Sequence, residues 1–419
     1  MSSAFDVVIA GAGMVGATIA CGLARSNLKV AIVDPQPPQP FLADETPHIR
    51  VSAISYASEQ VLKHVGAWNA IATKRLCPYR RLAVNELPAT QGMSAKLPDI
   101  SKWARTEFNA QDIGQSHLGH IIENDIVHLA LHEQMQKLKK LHIFCPDEIV
   151  GMQLDGATKQ LHLAKGGTLT ARLIIGAEGA NSMVRQQAGI GQSREQYSQQ
   201  AFVCTVSYLG EQQDITWQSF TPHGPIAFLP LADVGNRHYA SLVWYDSPES
   251  ISRLKALPEA ELIAFFQKAY PTELPKLLSL VERASFPLFR SHAFDYIKPG
   301  IALAGDAAHT INPLAGQGVN LGLMDAAVLI EVLIQANMNN EDIANESVLK
   351  RYQQARKKEN QLMMATMDAF YYGFSNNILP LRILRNIGLG LANHAGIAKQ
   401  QVMRYAIGAS GDLPKLART

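Results

Sequence analysis

Three glycines and an acid near the start of the chain have the spacing of a phosphate-binding turn. Gly11, Gly13 and Gly16 form G-x-G-x-x-G between an apolar run and a helical pattern, and Asp34 ends a second apolar run. Such glycines permit a tight turn and let a pyrophosphate approach the backbone at the positive end of a helix, while the acid accepts ribose hydroxyls. The pattern predicts a dinucleotide site and leaves FAD and NAD open. A glycine turn without a ligand is the alternative.

A second acid precedes another glycine-opened helix in residues 301–322, IALAGDAAHTINPLAGQGVNLG. Asp306 follows an apolar strand pattern, and ligands gather at the carboxyl ends of such strands. A carboxylate there can bind the linker of a flavin, which has free hydroxyls where NAD has a second ribose. The N–H groups of the helix end favour the negative charge of a reduced flavin. The stretch therefore favours FAD, and Asp306 as the cap of a short turn is the alternative. The predicted cofactor-binding residues here are Asp306, Pro313, Gly316, Gly318, Val319 and Asn320.

A third signal lies between these two, in residues 173–186, LIIGAEGANSMVRQ, where a short strand precedes an acid between two glycines. Together the three segments resemble the fingerprints of the p-hydroxybenzoate hydroxylase-like flavin monooxygenases. Within that group, RVSAIS at 50–55, SHLGHIIEN at 116–124 and the 301–322 stretch resemble the ubiquinone-biosynthesis FAD-dependent hydroxylases. The resemblance extends over essentially the whole chain. The segments at 216–231, 241–248 and 374–389 are similar to the members that oxidise the last unsubstituted carbon of the quinol ring.

The resemblance implies a role for single residues. It assigns the glycines of the first motif to the pyrophosphate and Asp34 to the ribose, where the family usually has Glu. It places Arg50 close to the FAD and Arg185 at the end of the second motif. Glu178 stands where that motif usually has Asp. Because the motif is thought to serve both FAD and transient nicotinamide binding, the site of the reductant stays open.

The resemblance also implies a reaction. It is the insertion of one oxygen atom from dioxygen, through a flavin hydroperoxide, into the last unsubstituted carbon of a polyprenyl demethoxyubiquinol, with NAD(P)H as electron donor. The cofactor supplies the chemistry and the protein orients the ring, so no catalytic base is assigned. His309 is expected to be a loop histidine bonded to backbone. The alternatives are hydroxylation at another ring position, a flavin reductase, and a non-enzymatic flavin-binding scaffold.

The elements that position these residues predict an α/β fold in two domains. A discontinuous Rossmann-like FAD-binding domain takes residues 1–75, 101–190 and 288–365. An inserted substrate domain takes residues 76–100 and 191–287, where runs of alternating polarity predict a mostly antiparallel sheet. Residues 366–419 form a helical, basic C-terminal segment. The residues expected to line an apolar substrate pocket, with core packing as the alternative for each, are Phe228, Leu229, Pro230 and Trp244.

Composition limits the other possibilities. The 419 residues suit two domains, and 47% hydrophobic with 18% charged residues is typical of a globular protein. A net charge of +2 gives no reason to expect nucleic acid. Four widely spaced cysteines suggest reduced thiols in the cytoplasm. The apolar run at 7–24 contains four glycines and follows an acid, so a buried strand and helix are expected there rather than a membrane span.

The charge is concentrated in the C-terminal segment. From Tyr371 onward there are six Lys or Arg residues against one Asp, and apolar residues recur at helical spacing around Arg382, Arg385, Lys399 and Arg404. A basic amphipathic helix can lie on an anionic membrane, which would suit a prenylated substrate. The segment is therefore expected to contact the inner-membrane surface, a multi-enzyme complex of ubiquinone biosynthesis, or the protein's own core.

Overall fold

The computed structural model describes residues 3–87, 105–156, 158–312, 318–374 and 379–418. The strands in these residues are β1 (Ser3–Ala10), β2 (Val30–Val33), β3 (Val51–Ser55), β4 (Cys77–Tyr79), β5 (Arg81–Glu86), β6 (Arg105–Asn109), β7 (Gly119–Glu123), β8 (Leu141–Phe144), β9 (Ile149–Gln153), β10 (Lys159–Leu163), β11 (Thr168–Gly176), β12 (Gln192–Tyr208), β13 (Ile215–Thr221), β14 (Gly224–Val234), β15 (Arg237–Asp246), β16 (Leu277–Ala293), β17 (Ile297–Lys298), β18 (Ile301–Leu303) and β19 (His309–Thr310). The helices are α1 (Met14–Leu23), α2 (Tyr56–His64), α3 (Trp68–Ala72), α4 (Asn124–Gln136), α5 (Met183–Gln187), α6 (Pro248–Ala256), α7 (Glu259–Ala269), α8 (Gly318–Met338), α9 (Glu346–Phe374), α10 (Leu379–Asn393) and α11 (Ile397–Ala406).

The first sheet has the order β17-β18-β11-β1-β2-β8, and β9 and β10 extend it from β11. The pairs from β18 to β8 are parallel. Strands of a parallel sheet are covered on both faces, so their sequences are continuous apolar runs. Strand β2, with the sequence VAIV, is an example and is buried along its whole length. Helix α1 packs against α4 and α8, so closely that a Cβ on Gly22 would lie 2.5 Å from Ile330 Cδ1.

The second sheet has the order β19-β16-β12-β15-β14-β13-β5-β6. Its pairs are antiparallel except for β13 with β5. Helices α6 and α7 pack on one face of this sheet, in a core that includes Phe202, Phe228, Leu262 and Phe266. The structure thus has the α/β class and the mostly antiparallel second sheet that the sequence predicts. A small third sheet, β3-β7-β4, lies beside them.

The strand pairings differ in detail from the domain boundaries drawn from sequence. Strand β6 belongs to the second sheet through its pairing with β5, although residues from 101 onward were expected in the first domain. Strand β4 pairs with β7 in the third sheet rather than joining the second. Both strands are short, and the sequence of a short strand does not specify which other strand it pairs with. The residues at 88–100 that were expected in the substrate domain lie outside the described residues.

Two apolar segments are core elements. Residues 7–24 form β1, the glycine turn and α1, and most of their side chains are buried, as expected from the sequence. Helix α8 is long and apolar enough to span a membrane by length and composition, but 67% of its apolar window is buried inside the protein. Helix α8 therefore packs as a core helix against α1 and α9.

The basic residues of the C-terminal segment contact the protein itself. Arg385 donates to Glu86 Oε1 over 2.6 Å, and Arg382 Nε lies 3.6 Å from the same oxygen, with the Glu86 side chain 2% exposed. Arg404 donates to the Ile113 carbonyl, and Lys399 Nζ lies over the Phe108 ring. The outer surface of α10 and α11 is apolar instead, with exposed Leu381, Ile383, Leu384, Ile387, Leu391, Ile397 and Val402. Of the three contacts that the sequence left open for this segment, these basic residues make the one with the protein's own core, and the buried Glu86 carboxylate turns two of them inward.

Candidate active site

A cavity of about 760 Å³ lies between the first and second sheets. Gly13 and Asp306 line it from loops that follow strands of the first sheet, and Arg50 lines it from the residue before β3 of the third sheet. Leu229 and Tyr245 line it from the second sheet. One space therefore joins residues predicted to bind a dinucleotide to an apolar wall. A cavity of this size, apolar with a few convergent polar groups, is typical of a cofactor and substrate site.

The first glycine motif forms a closed turn at the end of β1. Gly11 has φ of +93°, and a Cβ there would lie 2.6 Å from the Ala177 carbonyl oxygen. A Cβ on Gly16 would lie 1.9 Å from the Gly11 carbonyl oxygen, so this position admits glycine alone. Gly13 is different, since no atom lies within 4 Å of its Cβ position and the residue faces the cavity at the N-terminus of α1. The open side of the turn is therefore available to a phosphate.

Asp34 fastens the same turn. Its Oδ2 accepts the Ala12 N–H over 2.6 Å and its Oδ1 accepts the Gln36 N–H over 2.8 Å. The carboxylate at the end of β2 thus orders the loop at the mouth of the dinucleotide turn. Each carboxylate oxygen accepts more than one hydrogen bond, so these contacts leave acceptor capacity for ribose hydroxyls.

Asp306 and Arg50 face the cavity from opposite chain segments. Asp306 is exposed to the cavity, and partial desolvation by the surrounding protein raises its pKa, while the charges of His309 and Arg50 oppose that rise and Asp325 adds to it. A carboxylate that has lost part of its hydration in this way is stabilised by hydroxyl donors, which the ribityl linker of a flavin carries. Arg50 directly precedes β3 and is exposed to the cavity.

A buried carboxylate supports this loop, and sequence reasoning missed it. Asp325 on α8 accepts the Gly305 N–H over 3.1 Å and the His309 Nε2 hydrogen bond over 2.6 Å. Arg356 and Asn360 on α9 donate to its other oxygen over 2.9 and 3.0 Å. His309 is therefore bonded to a carboxylate and not to backbone as expected. An acid within the apolar run of α8 was the available signal, because a buried charge needs partners.

Burial alone would raise the pKa of Asp325, but the charge and hydrogen bond of His309, with Arg356 and Asn360, hold it at about 2. The group is therefore ionised at neutral pH although no part of it is exposed. It joins the Asp306 loop to two long helices, α8 and α9.

The second motif lines the cavity through Ala177 and Gly179, while its charged residues join loops. Arg185 is buried and donates to the carbonyls of Ala307 and Ala180 over 3.0 and 3.1 Å. Burial lowers its pKa, and the nearby Glu178 charge opposes this. Glu178 Oε1 accepts the Val184 N–H over 2.7 Å, and desolvation raises its pKa. Arg185 thus connects the second motif to the loop that carries Asp306.

The start of α8 contributes two kinds of residue. Gly318 and Val319 line the cavity. Asn320 lies behind them, where its Oδ1 accepts the Ser55 N–H over 3.0 Å and its Nδ2 donates to the Ala53 carbonyl over 2.8 Å. Asn320 therefore connects α8 to β3. The predicted Pro313 and Gly316 lie outside the described residues.

The apolar wall comes mainly from alternate residues of β14 and β15. Leu229, which the sequence predicted for the pocket, lines the cavity together with Val243 and Tyr245. The Trp217 ring packs with Phe228 in the core on the other face. Phe228 and Trp244 lie on the other face, where Trp244 contacts Phe265 and packs in the core beneath α7. Pro230 is buried and is not among the lining residues. The prediction chose residues by size, whereas the period of two along a strand places 225, 227, 229 and 241, 243, 245 on the cavity face.

Two buried hydroxyls on the cavity wall lack a hydrogen-bond partner in the described part of the chain. They are Ser241 Oγ on β15 and Thr310 Oγ1 on β19. An unpaired buried hydroxyl costs free energy of about 1–3 kcal/mol, which a ligand can recover. Neither oxygen is exposed to the cavity as it stands, so a bound molecule would reach them only after a neighbouring side chain shifts.

The residues present fit FAD. Gly13 and Asp306 line one cavity, where they would bind the pyrophosphate and the ribityl linker, and Asp34 orders the turn beside Gly13, where it would bind the ribose. When bound, FAD supplies the redox chemistry, and the residues of the chain bind and orient it.

Comparison with known proteins agrees with this assignment. The profile of the family described as "FAD binding domain" matches residues 4–366. The chain is 43% identical to 3-demethoxyubiquinol 3-hydroxylase of Escherichia coli over 403 residues, which are 96% of this chain and 98% of that protein. It is 32% identical to ubiquinone hydroxylase UbiL of Rhodospirillum rubrum, covering 96% of this chain and 89% of that protein.

Solved structures share the fold at lower identity. PqsL of Pseudomonas aeruginosa, described as a probable FAD-dependent monooxygenase, superposes with a TM-score of 0.73 at 20% identity, over 92% of this chain and 99% of that one. The p-nitrophenol 4-monooxygenase PnpA of Pseudomonas putida gives a TM-score of 0.73 at 18% identity, over 98% of both chains. At this identity the likeness extends to the fold alone.

Proposed function

The chain belongs to the family of FAD-dependent ubiquinone-biosynthesis hydroxylases, and we propose that it hydroxylates the last unsubstituted ring carbon of a polyprenyl demethoxyubiquinol. In the overall reaction a ring C–H becomes C–OH. One oxygen atom of dioxygen enters the product and the other leaves as water. The substrate supplies two electrons, and NAD(P)H supplies the other two with a proton from solvent. The products are the hydroxylated quinol, water and NAD(P)⁺.

One observation carries this proposal: a single cavity has a dinucleotide turn at one end and an apolar wall from the second sheet at the other. Gly13, Arg50 and Asp306 bind the cofactor, and Leu229 and Tyr245 orient the ring and exclude water. A pocket that excludes water limits the loss of activated oxygen as hydrogen peroxide. Limiting that loss is the main task of the protein in such chemistry.

Ser241 is the residue that we assign to the substrate hydroxyl. Its Oγ is buried without a partner in the described residues, and Ser241 pairs with the wall residue Leu229, whose shift on substrate binding would uncover it. A phenolic hydroxyl both donates and accepts, so it satisfies the serine and fixes the rotation of the ring in the pocket. Orientation of the ring decides which carbon reacts.

No histidine acts as a base in this proposal. His309 is 2% exposed and its Nε2 is engaged with Asp325, so its role is to support the loop of Asp306. The electron donor is NAD(P)H that binds transiently, since the sequence contains no second strand-preceded G-x-G-x-x-G.

The test is incorporation of labelled dioxygen. The FAD-loaded protein is given NAD(P)H, ¹⁸O₂ and a short-chain demethoxyubiquinol, and the product is analysed by mass spectrometry. One ¹⁸O at the unsubstituted carbon supports the proposal. Label at another ring carbon would favour a different regiochemistry. NAD(P)H oxidation without label would favour a reductase, and bound FAD without substrate-stimulated oxidation would favour a scaffold.

We further propose that the protein is cytoplasmic and rests on the inner-membrane surface through the apolar outer face of α10 and α11. A polyprenyl substrate resides in the bilayer, and the end of α9 that leads to this face packs through Tyr371 on Tyr197 and Tyr245 at the cavity wall. The exposed Leu384 and Leu391 side chains would insert among lipid headgroups. Docking on a multi-enzyme complex is the alternative that vesicle binding would distinguish.

A further inference from the structure

Three side chains that the active site does not use converge outside the cavity. Glu59 on α2 is buried, and its Oε2 lies 2.7 Å from His117 Nε2 and 3.4 Å from His120 Nδ1. The two imidazole rings have centroids 4.3 Å apart. The three ligand atoms all lie within 4.8 Å of one another. None of the three residues lines the cavity.

The surroundings orient both imidazoles. His117 Nδ1 lies 2.8 Å from Ser116 Oγ, and the Trp68 ring packs edge-on against His120. His120 Nδ1 is buried without a good hydrogen bond in the described part of the protein. Metal-binding histidines commonly have such outer partners, which fix the ring and leave one nitrogen to the ion. This cluster is therefore better evidence for a metal site than exposed acidic side chains that merely lie close together.

The spacing is close to that of a tetrahedral metal site. Ligand atoms about 2.0 Å from a tetrahedral ion lie roughly 3.3 Å apart. The carboxylate-to-histidine separations here are 2.7 and 3.4 Å, and all three ligand atoms lie within 4.8 Å of one another. Closing the widest pair to about 3.3 Å therefore needs a relative shift of at most about 1.5 Å. His117 is the more exposed of the two histidines, so water can reach the fourth position.

We propose that Glu59 Oε2, His117 Nε2 and His120 Nδ1 bind a divalent transition-metal ion, with Zn²⁺ the preferred one. Two imidazoles and one carboxylate suit zinc better than magnesium or calcium, which prefer oxygen ligands. A bound ion joins helix α2 to the segment that leads into β7 and therefore has a structural role. It takes no part in the chemistry of the cavity.

Lys63 makes the proposal more specific. Its Nζ lies 2.5 Å from Glu59 Oε1, the carboxylate oxygen that faces away from the histidines. Its charge therefore competes electrostatically with a cation at Oε2. Removal of this charge should strengthen zinc binding. A purely structural Glu59–Lys63–His117 network would lose stability and gain no affinity for metal.

The experiment is titration of the chelator-treated, FAD-loaded protein with Zn²⁺ by calorimetry. We expect one saturable site with micromolar or tighter affinity, weakened at least about tenfold by Glu59→Gln, His117→Ala or His120→Ala. His238→Ala is the matched control. His238 also pairs with a carboxylate, that of Asp233 over 2.8 Å, but no third metal-binding side chain joins this pair in the described part of the chain. Lys63→Met should bind zinc more tightly than the unaltered protein.

Cobalt spectroscopy tests the geometry of the site in the unaltered protein, so it does not depend on whether the variants fold. Co²⁺ added to the unaltered protein should give the intense visible absorption of tetrahedral coordination, and Zn²⁺ should abolish it. Weak octahedral absorption, or zinc binding that His120→Ala leaves unchanged, would overturn the proposal. FAD content of each variant, read from the flavin absorbance, identifies any that fail to fold.

Discussion

Arg356 Nε donates to Asp325 Oδ1 over 2.9 Å, and both side chains are buried behind the loop that carries Asp306. The pair joins α9 to α8, and the second oxygen of Asp325 accepts the Gly305 N–H. A buried ion pair of this kind contributes little net stability over apolar residues, but loss of one partner is costly. Its value to the protein is the placement of the neighbouring Asp306.

Removal of the Arg356 charge should therefore be severe. We expect Arg356→Met to lower the free energy of unfolding by about 3–5 kcal/mol, because Asp325 is left charged and buried. The double variant with Asp325→Asn should recover part of that loss. Urea unfolding of the FAD-loaded proteins, followed by circular dichroism, measures both. An equal loss in the single and double variants would contradict the pairing.

Asp325 also predicts a pH dependence. Its folded pKa of about 2 lies below the ordinary value of 3.8, so its ionisation stabilises the fold above pH 4. That contribution is lost as the pH falls from about 4 to about 2. The stability gap between the unaltered protein and Asp325→Asn should narrow across this range. A gap that stays constant from pH 7 to pH 2 would show that the acid is not held ionised.

The glycine turn gives a contrast between two similar substitutions. Gly13→Ala should fold with nearly unchanged thermal stability of the FAD-free protein, since open space surrounds its Cβ position, but it should bind FAD at least about tenfold more weakly. Gly16→Ala should fail to fold, because its Cβ would overlap the Gly11 carbonyl oxygen. Thermal denaturation and flavin fluorescence titration separate the two effects. Equal behaviour would contradict the assignment of the open side to phosphate.

Ser241→Ala should reduce kcat/KM for the demethoxyubiquinol by about tenfold and release more uncoupled hydrogen peroxide, with FAD affinity unchanged. Ser207→Ala is the matched control, because the Ser207 hydroxyl is paired with that of Ser279 over 2.6 Å and lies outside the cavity lining. Steady-state kinetics with a peroxide assay gives both readouts. Unchanged coupling in Ser241→Ala would remove this residue from substrate orientation.

The C-terminal face predicts membrane binding that depends on apolar contact. Replacement of Leu384 and Leu391 by Ser should reduce co-sedimentation with phosphatidylglycerol–phosphatidylethanolamine vesicles by about tenfold. Leu42→Ser, at another exposed leucine, should have no effect. A rise from 0.1 to 0.5 M NaCl should also have little effect, because Arg382 and Arg385 face Glu86. Strong salt dependence would indicate instead that basic side chains of the segment bind the anionic vesicle surface.

Residues of the cofactor site could be predicted from the sequence better than residues of the apolar wall. Gly13, Asp34 and Asp306 could be predicted because fixed spacing beside strands and helices encodes their roles. Phe228 and Trp244 could not be placed, because the face of a strand depends on register with its neighbours. Asp325 and Arg356 meet only when α8 and α9 pack together, which no local pattern encodes.

The amide of Asn320 contacts the backbone of β3 at two points while its own helix begins at the cavity. Arg50 lies at the other end of that strand. Any displacement of the start of α8 is therefore transmitted to the arginine, and the two sides of the flavin site move as one body. Cofactor loading and the positioning of Arg50 should then occur in a single concerted step, with Asn320 as the mechanical link between them.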